Sequence, residues 1–303
     1  MRVGLDCYTI GHLGLSAVET LEFAKEHRLA GVQFTDATQL SVDFRSEEIE
    51  AIRQQAEKLG LYLEIGVPSP NALRTPELAS QSPADHAAYL QPYLEAAALA
   101  GCSASRTYIG WRDDRFRTDH PWPEQLEYTQ AVFKELAPLL RDARLRLALE
   151  THADATSREL LRVIDAVGDD VAGICLDTGN LTMRLEEPLA AVQRLAPLVV
   201  VTHLKDSIVY LCDEGLCWQA RPCGQGIVPL PEILRELARH NPNLNLSIED
   251  HPRIYELRIF DRHWMASFAE LPAAELGAVV GLAYRCGRRI ASGELADPQK
   301  VEQ

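Results

Sequence analysis

The sequence has little of what most often decides a function class at sight. No apolar run in its 303 residues approaches the roughly 18 needed to cross a bilayer, so no transmembrane helix is expected. The opening MRVGLDCYTI lacks a basic segment followed by an apolar stretch; no secretory signal is expected, and the expected location is cytoplasmic. Basic residues are in deficit, 30 Lys and Arg against 44 Asp and Glu, and a net charge of −14 argues against a surface that tracks nucleic-acid phosphates. Seven cysteines is an odd number with no close-spaced pair, and Cys212, Cys217 and Cys223 share a loop with no nearby His. That pattern reads as reduced thiols, not as a disulfide frame or a structural zinc site. No Gly/Ser/Pro-rich linker, low-complexity run or short repeat divides the chain, so residues 1–303 read as a single domain. No Lys/Arg cluster sits in a glycine-rich turn, which favours an unphosphorylated substrate. Gly224-x-Gly226 neither follows a strand nor opens a helix, so it is no dinucleotide fingerprint.

What the sequence does have is concentrated between Leu145 and Asp206. Three short apolar runs there end abruptly in Glu150, Asp177 and His203, and a fourth, NLNLSIED, ends at Glu249. The spacings are 27, 26 and 46 residues. The first two match one strand–helix unit of a parallel α/β fold, and the third is such a unit with an enlarged loop. Alternation along a strand turns every second side chain to the same face. If the four polar ends point inward, so do Ala148, Cys175, Val201 and Ser247, which are mostly small.

The same rhythm extends backwards. Strands are expected at Val3–Asp6, Gly31–Thr35, Leu61–Val67 and Ser105–Ile109, and capping boxes at Ser16-x-x-Glu19 and Thr156-x-x-Glu159 open helices. The count reaches eight strands. The expected fold is α/β, a (β/α)8 TIM barrel over residues 1–250 with a helical C-terminal extension over 251–303. The extension is a candidate oligomer contact. Residues 206–228 are read as one long loop.

Polar residues at the C-terminal ends of barrel strands are where such barrels do chemistry. Glu150, Asp177, His203 and Glu249 make an oxygen-rich set with one imidazole. It suits one hard or borderline divalent ion, Mn²⁺ foremost, with Mg²⁺, Co²⁺ and Zn²⁺ as alternatives.

The pieces Leu149-Glu150-x-His152, Leu176-Asp177-Thr178-Gly179-Asn180 and His203-Leu204-Lys205-Asp206, followed by Glu249, resemble the xylose isomerase-like TIM-barrel family. That family includes sugar phosphate isomerases and epimerases, ketose 3-epimerases, inosose and 3-dehydroshikimate dehydratases and endonuclease IV. The resemblance implies a catalytic divalent metal on Glu150, Asp177, His203 and Glu249. In the ketose-epimerase branch the two glutamates are also the acid–base pair around a metal-stabilised enediolate. The expected function is therefore isomerisation or epimerisation of a keto sugar or related polyol. The alternative is a lyase with His152 as base, either a dehydratase of a cyclic keto-polyol or a β-eliminating enzyme of 3-keto-glycosides. Asn180 stands where the ketose 3-epimerases carry a His, and the extra histidines of endonuclease IV are absent, so DNA repair is set aside.

Further residues complete the expected site. His152 lies two residues beyond Glu150 and is either a general base or a loop histidine bonded to the backbone. Lys205 is read as a contact to a substrate oxygen, and Asp206 as an orienter of His203 or a local partner of Lys205. Asn180, Arg221 and Trp111 are the other candidate substrate contacts. The expected partners are a small carbohydrate or polyol and further copies of the same chain, with no nucleic acid and no membrane.

Overall fold

A computed structural model describes residues 1–301 of the chain. Its strands, in chain order, are β1 (Arg2–Asp6), β2 (Gly31–Phe34), β3 (Tyr62–Gly66), β4 (Ala104–Thr107), β5 (Arg146–Glu150), β6 (Ala172–Asp177), β7 (Val199–Leu204), β8 (Asp206–Cys212), β9 (Gly215–Arg221), β10 (Asn245–Ile248) and β11 (Ile254–Leu257). Eight of them close into a parallel barrel in the order β1-β10-β7-β6-β5-β4-β3-β2. The helices are α1 (Ala17–Glu26), α2 (Ser46–Leu59), α3 (Pro83–Leu99), α4 (Trp122–Ala143), α5 (Ser157–Val167), α6 (Pro188–Leu195), α7 (Leu230–His240), α8 (Arg262–Ala266) and α9 (Ala273–Ala291). The first seven follow barrel strands, as the (β/α)8 reading requires. No helix among the described residues is long and apolar enough to cross a membrane.

Local chemistry accounts for the helix ends. Ser16 and Glu19 exchange side-chain-to-backbone bonds at the start of α1, and Thr156 and Glu159 do so at α5. Each box satisfies two amides that have no partner within the helix. Gly60, at φ 73°, ends α2 in the left-handed region that glycine enters without strain. The main core lies between the outer faces of the strands and the helices, with Val32, Phe34, Ile49, Leu90, Leu147 and Ile174 among its members.

The inside of the barrel is small and polar. Ala104, Ala148, Cys175 and Val201 form a cluster of their own there, in agreement with the inward alternation expected of β5–β7. Tyr62 fills the lower interior where Gly4 and Gly31 leave room. A Cβ on Gly4 would come 2.1 Å from the Tyr62 hydroxyl, and one on Gly31 2.2 Å from its ring.

Two expectations are corrected. Residues 206–228 are not simply a loop, because β8 and β9 pair as an antiparallel hairpin from Asp206↔Arg221 to Cys212↔Gly215. The C-terminal extension is not wholly helical either. β11 pairs with β9 and completes a three-stranded sheet beside the barrel mouth. This sheet has its own apolar core, built from Val209, Leu216, Trp218, Leu257, Phe268 and Val279, so α9 packs on the sheet.

Candidate metal centre

Glu150 and Asp177 end β5 and β6, His203 lies near the end of β7, and Glu249 follows β10 directly. All four are buried, and each offers a ligand atom within 4.8 Å of the others. His203 Nδ1 is 3.5 Å from Glu150 Oε1 and 3.2 Å from Glu249 Oε2. His203 Nδ1 is buried and makes no hydrogen bond among the described residues, whereas Glu249 Oε2 beside it meets the Lys205 ammonium. A buried polar atom is rarely left so, and coordination to a cation would account for Nδ1. The donor set fits a divalent ion.

The motif Asp177-Thr178-Gly179-Asn180 can be followed atom by atom. Asp177 accepts the amides of Gly179 and Asn180 on Oδ1 and the Asn180 side-chain amide at 2.6 Å on Oδ2. Thr178 donates its hydroxyl to the Lys205 carbonyl and accepts the Lys205 amide, which locks the ends of β6 and β7 together. Gly179 leaves room for Lys205, whose Cγ would lie 2.8 Å from an added Cβ. The Gly179 carbonyl accepts the Ser207 hydroxyl and the Trp218 indole N–H, and so seats the hairpin.

Lys205 reaches into the ligand set. Its Nζ is 2.8 Å from Asp177 Oδ2, 2.6 Å from Glu249 Oε2 and 3.0 Å from His251 Nε2. Arg106 of β4 donates Nε to Glu150 Oε2 at 2.6 Å and brings Nη2 equally close. Charge and burial pull against each other here. Burial opposes ionisation of Glu150, but Arg106 and His203 outweigh it and hold the carboxyl below its usual range. Glu249 is likewise held well below that range, against burial, by Lys205 and His203. Burial pushes Asp177 up to about 7, with Lys205 opposing and Glu249 and Glu150 adding to the rise. Burial would depress His203, but Glu249 and Glu150 raise it well above its ordinary value. Burial and then Lys205 pull His251 down to about 4, consistent with a neutral ring that accepts from Lys205.

His152 stands at the mouth. Its Nδ1 is 3.0 Å from the Gly110 carbonyl, which accepts only, so Nδ1 carries a proton and Nε2 is the ring nitrogen left for another partner. Tyr108 and Trp111 border the ring at 5.2 Å each, and Trp111 is 55% exposed. Arg74 lies over both of those aromatic rings.

Other expected residues are placed differently. Asn180 is spent on Asp177 and is buried. Asp206 does not bond His203. Its carboxylate accepts the amides of Ser207, Gly224, Gly226 and Val228, so it ties the base of the hairpin. The paired glycines serve that contact, since a Cβ on Gly226 would come 2.2 Å from Asp206 Oδ1. Arg221, opposite Asp206 in the hairpin register, is buried and donates to the Ala296 carbonyl; it packs on the C-terminal segment, not at the metal centre. Arg106 and His251 were missed in the sequence. His251 repeats the Glu-x-His pattern of Glu150 and His152, two residues beyond Glu249, and that repetition was a usable signal.

This arrangement of barrel and rim is that of a family. Residues 21–265 match the xylose isomerase-like TIM barrel family, and the chain belongs to it. Among its relatives, it is 28% identical over 261 residues to 3-oxo-isoapionate decarboxylase of Pectobacterium atrosepticum, covering 82% of this chain and 85% of the relative. Among solved structures, it is similar to D-psicose 3-epimerase with D-tagatose from Clostridium cellulolyticum, at 16% identity, TM-score 0.66 and coverage of 96% and 99%. It is also similar to the probable 3-DHS dehydratase AsbF from Bacillus anthracis, at 19% identity, TM-score 0.64 and coverage of 82% and 93%.

Proposed function

We propose that the protein is a divalent-metal-dependent lyase that acts on a small keto sugar acid by way of an enolate. The observation that carries this reading is the set Glu150, Asp177, His203 and Glu249, four buried side chains whose ligand atoms lie within 4.8 Å of one another. When bound there, a divalent cation polarises the substrate carbonyl as a Lewis acid.

The chain's own residues supply the rest. Arg106 spends Nε and Nη2 on Glu150 and has no bond from Nη1 among the described residues, which suits an acid group on the substrate. Arg74, across Tyr108 from Arg106, is paired with Asp114 through Nε, so its charge is already matched. In decarboxylation of a 3-oxo acid, the bond between C2 and the carboxyl carbon breaks and carbon dioxide leaves. The electron pair becomes the C2–C3 double bond of the enolate, and a proton returns to C2. His152 Nε2 is the group at the mouth suited to handle that proton. Similarity to a decarboxylase of a 3-oxo sugar acid supports the same substrate chemistry.

The second reading is isomerisation or epimerisation of an unphosphorylated keto sugar. It is favoured by the two glutamates, on β5 and just past β10, which can flank a bound substrate as proton acceptor and donor. Arg106 weighs against it, because a carboxylate held ionised by a guanidinium is a weak base. Mn²⁺ is our choice of ion. The free thiols of Cys7, Cys102 and Cys175 agree with a cytoplasmic enzyme, and a homo-oligomer is the form we expect.

The test is to load the purified protein with Mn²⁺ and offer 3-oxo sugar acids, keto sugars and inososes in D₂O. Release of carbon dioxide or water from one of them is the expected result. Deuterium entering beside the carbonyl, with no other loss, turns the assignment to the isomerase. A metal-loaded protein that does neither overturns both readings.

A further inference from the structure

Three ligand side chains are steadied from nearby. Arg106 on the adjoining strand holds Glu150, Asn180 of its own turn holds Asp177, and Lys205 reaches Glu249. His203 is steadied from across the barrel. Gln33, on β2 and three strands away around the closed sheet, is fully buried and places Oε1 2.7 Å from His203 Nε2.

That contact has a consequence for the imidazole. If the amide oxygen faces Nε2, the ring proton sits on Nε2 and Nδ1 is left with its lone pair. Nδ1 is the atom turned toward Glu150 and Glu249. If the amide NH₂ faced Nε2 instead, the proton would move to Nδ1 and block coordination. One buried carboxylate supports the first arrangement. Asp6 Oδ2 lies 3.6 Å from His203 Nε2 and favours a proton there. Gln33 Nε2 makes no hydrogen bond among the described residues, so the bond to His203 is the polar contact its side-chain amide makes.

We propose that Gln33 is the positioning residue of the metal centre: it selects the His203 tautomer that offers Nδ1, and Asp6 favours the same proton on Nε2. This rests on the metal reading above, and the two fail differently. If the wild-type protein binds no Mn²⁺ or Zn²⁺ in calorimetry, the metal reading falls first. If it binds, Gln33→Met, which keeps length and removes the acceptor, is expected to weaken Zn²⁺ binding about 10- to 100-fold, as loss of an outer partner does elsewhere. Gln33→Asn keeps the amide but withdraws it by one methylene, and its affinity is expected to fall between the two. It also serves where the Met variant fails to fold.

The second readout is the ring itself. In Zn²⁺-loaded protein labelled with ¹⁵N-histidine, and with the signal assigned by its loss in His203→Gln, the wild type is expected to show a slowly exchanging proton on Nε2. Gln33→Met is expected to lose that protection. A folded Gln33→Met protein with wild-type affinity and the same protected proton overturns the proposal.

Discussion

Glu249 is a ligand candidate, a partner of Lys205 and a near neighbour of His203, all through one buried carboxylate. Glu249→Gln keeps its shape and removes the charge. We expect calorimetry to show metal affinity down by about 100-fold or more, with metal-dependent turnover lost alongside it. His152→Gln separates the steps. It leaves the four ligands intact, so turnover should fall about 10²- to 10⁴-fold while metal affinity changes little. Unchanged turnover in that variant would remove His152 from the mechanism. Protonation competes with the cation at this scale. Asp177 is pushed by burial to about 7, and His203, despite burial, is raised by Glu249 and Glu150. Both must lose a proton to coordinate, so affinity should rise with pH through about 7 and fall as the solution is acidified. Calorimetry at about pH 6 and about pH 8, in buffers of different ionisation heat, should show more protons released at the lower pH. Equal affinity and no proton release would contradict it.

At the scale of elements, the hairpin of β8 and β9 hangs on Asp206. Asp206→Ala leaves four backbone amides without their acceptor, at a cost of about 3 kcal/mol in stability. Hydrogen exchange should quicken at Ser207, Gly224, Gly226 and Val228 while the amides of β5 and β6 stay protected. Uniform loss of protection would mean that the hairpin and barrel unfold as one.

This hairpin is also where the sequence was least legible. Its turn is Asp213-Glu214, without glycine at either central position, so the usual two-residue signal is missing. β9 is buried along its whole length, which erases the alternation of a half-exposed strand. Strands β5, β6, β7 and β10 were easier, because each apolar run gives way abruptly to a residue that water or a metal must satisfy, Glu150, Asp177, His203 and Glu249. Arg106 and Gln33 lay hidden for a different reason. Gln33 is the one polar side chain of its four-residue strand, and Arg106 stands between Ser105 and Thr107 in another, so pattern alone does not tell an inward position from one facing the helices.

For the molecule as a whole, the ligand set draws on four of eight barrel strands, so a bound ion ties β5, β6, β7 and β10 to one another. Saturation at about 100 times the dissociation constant adds about 2.7 kcal/mol to stability. Chelation should lower the thermal midpoint accordingly, and a midpoint indifferent to chelator would argue that no ion bridges these strands.

The three-stranded sheet beside the mouth grows from the metal rim at both of its roots. β8 begins three residues after His203, and β11 begins five residues after Glu249. The sheet and the candidate ligands are therefore joined by two short connections, so an insertion in either one would move the sheet against the ligand set.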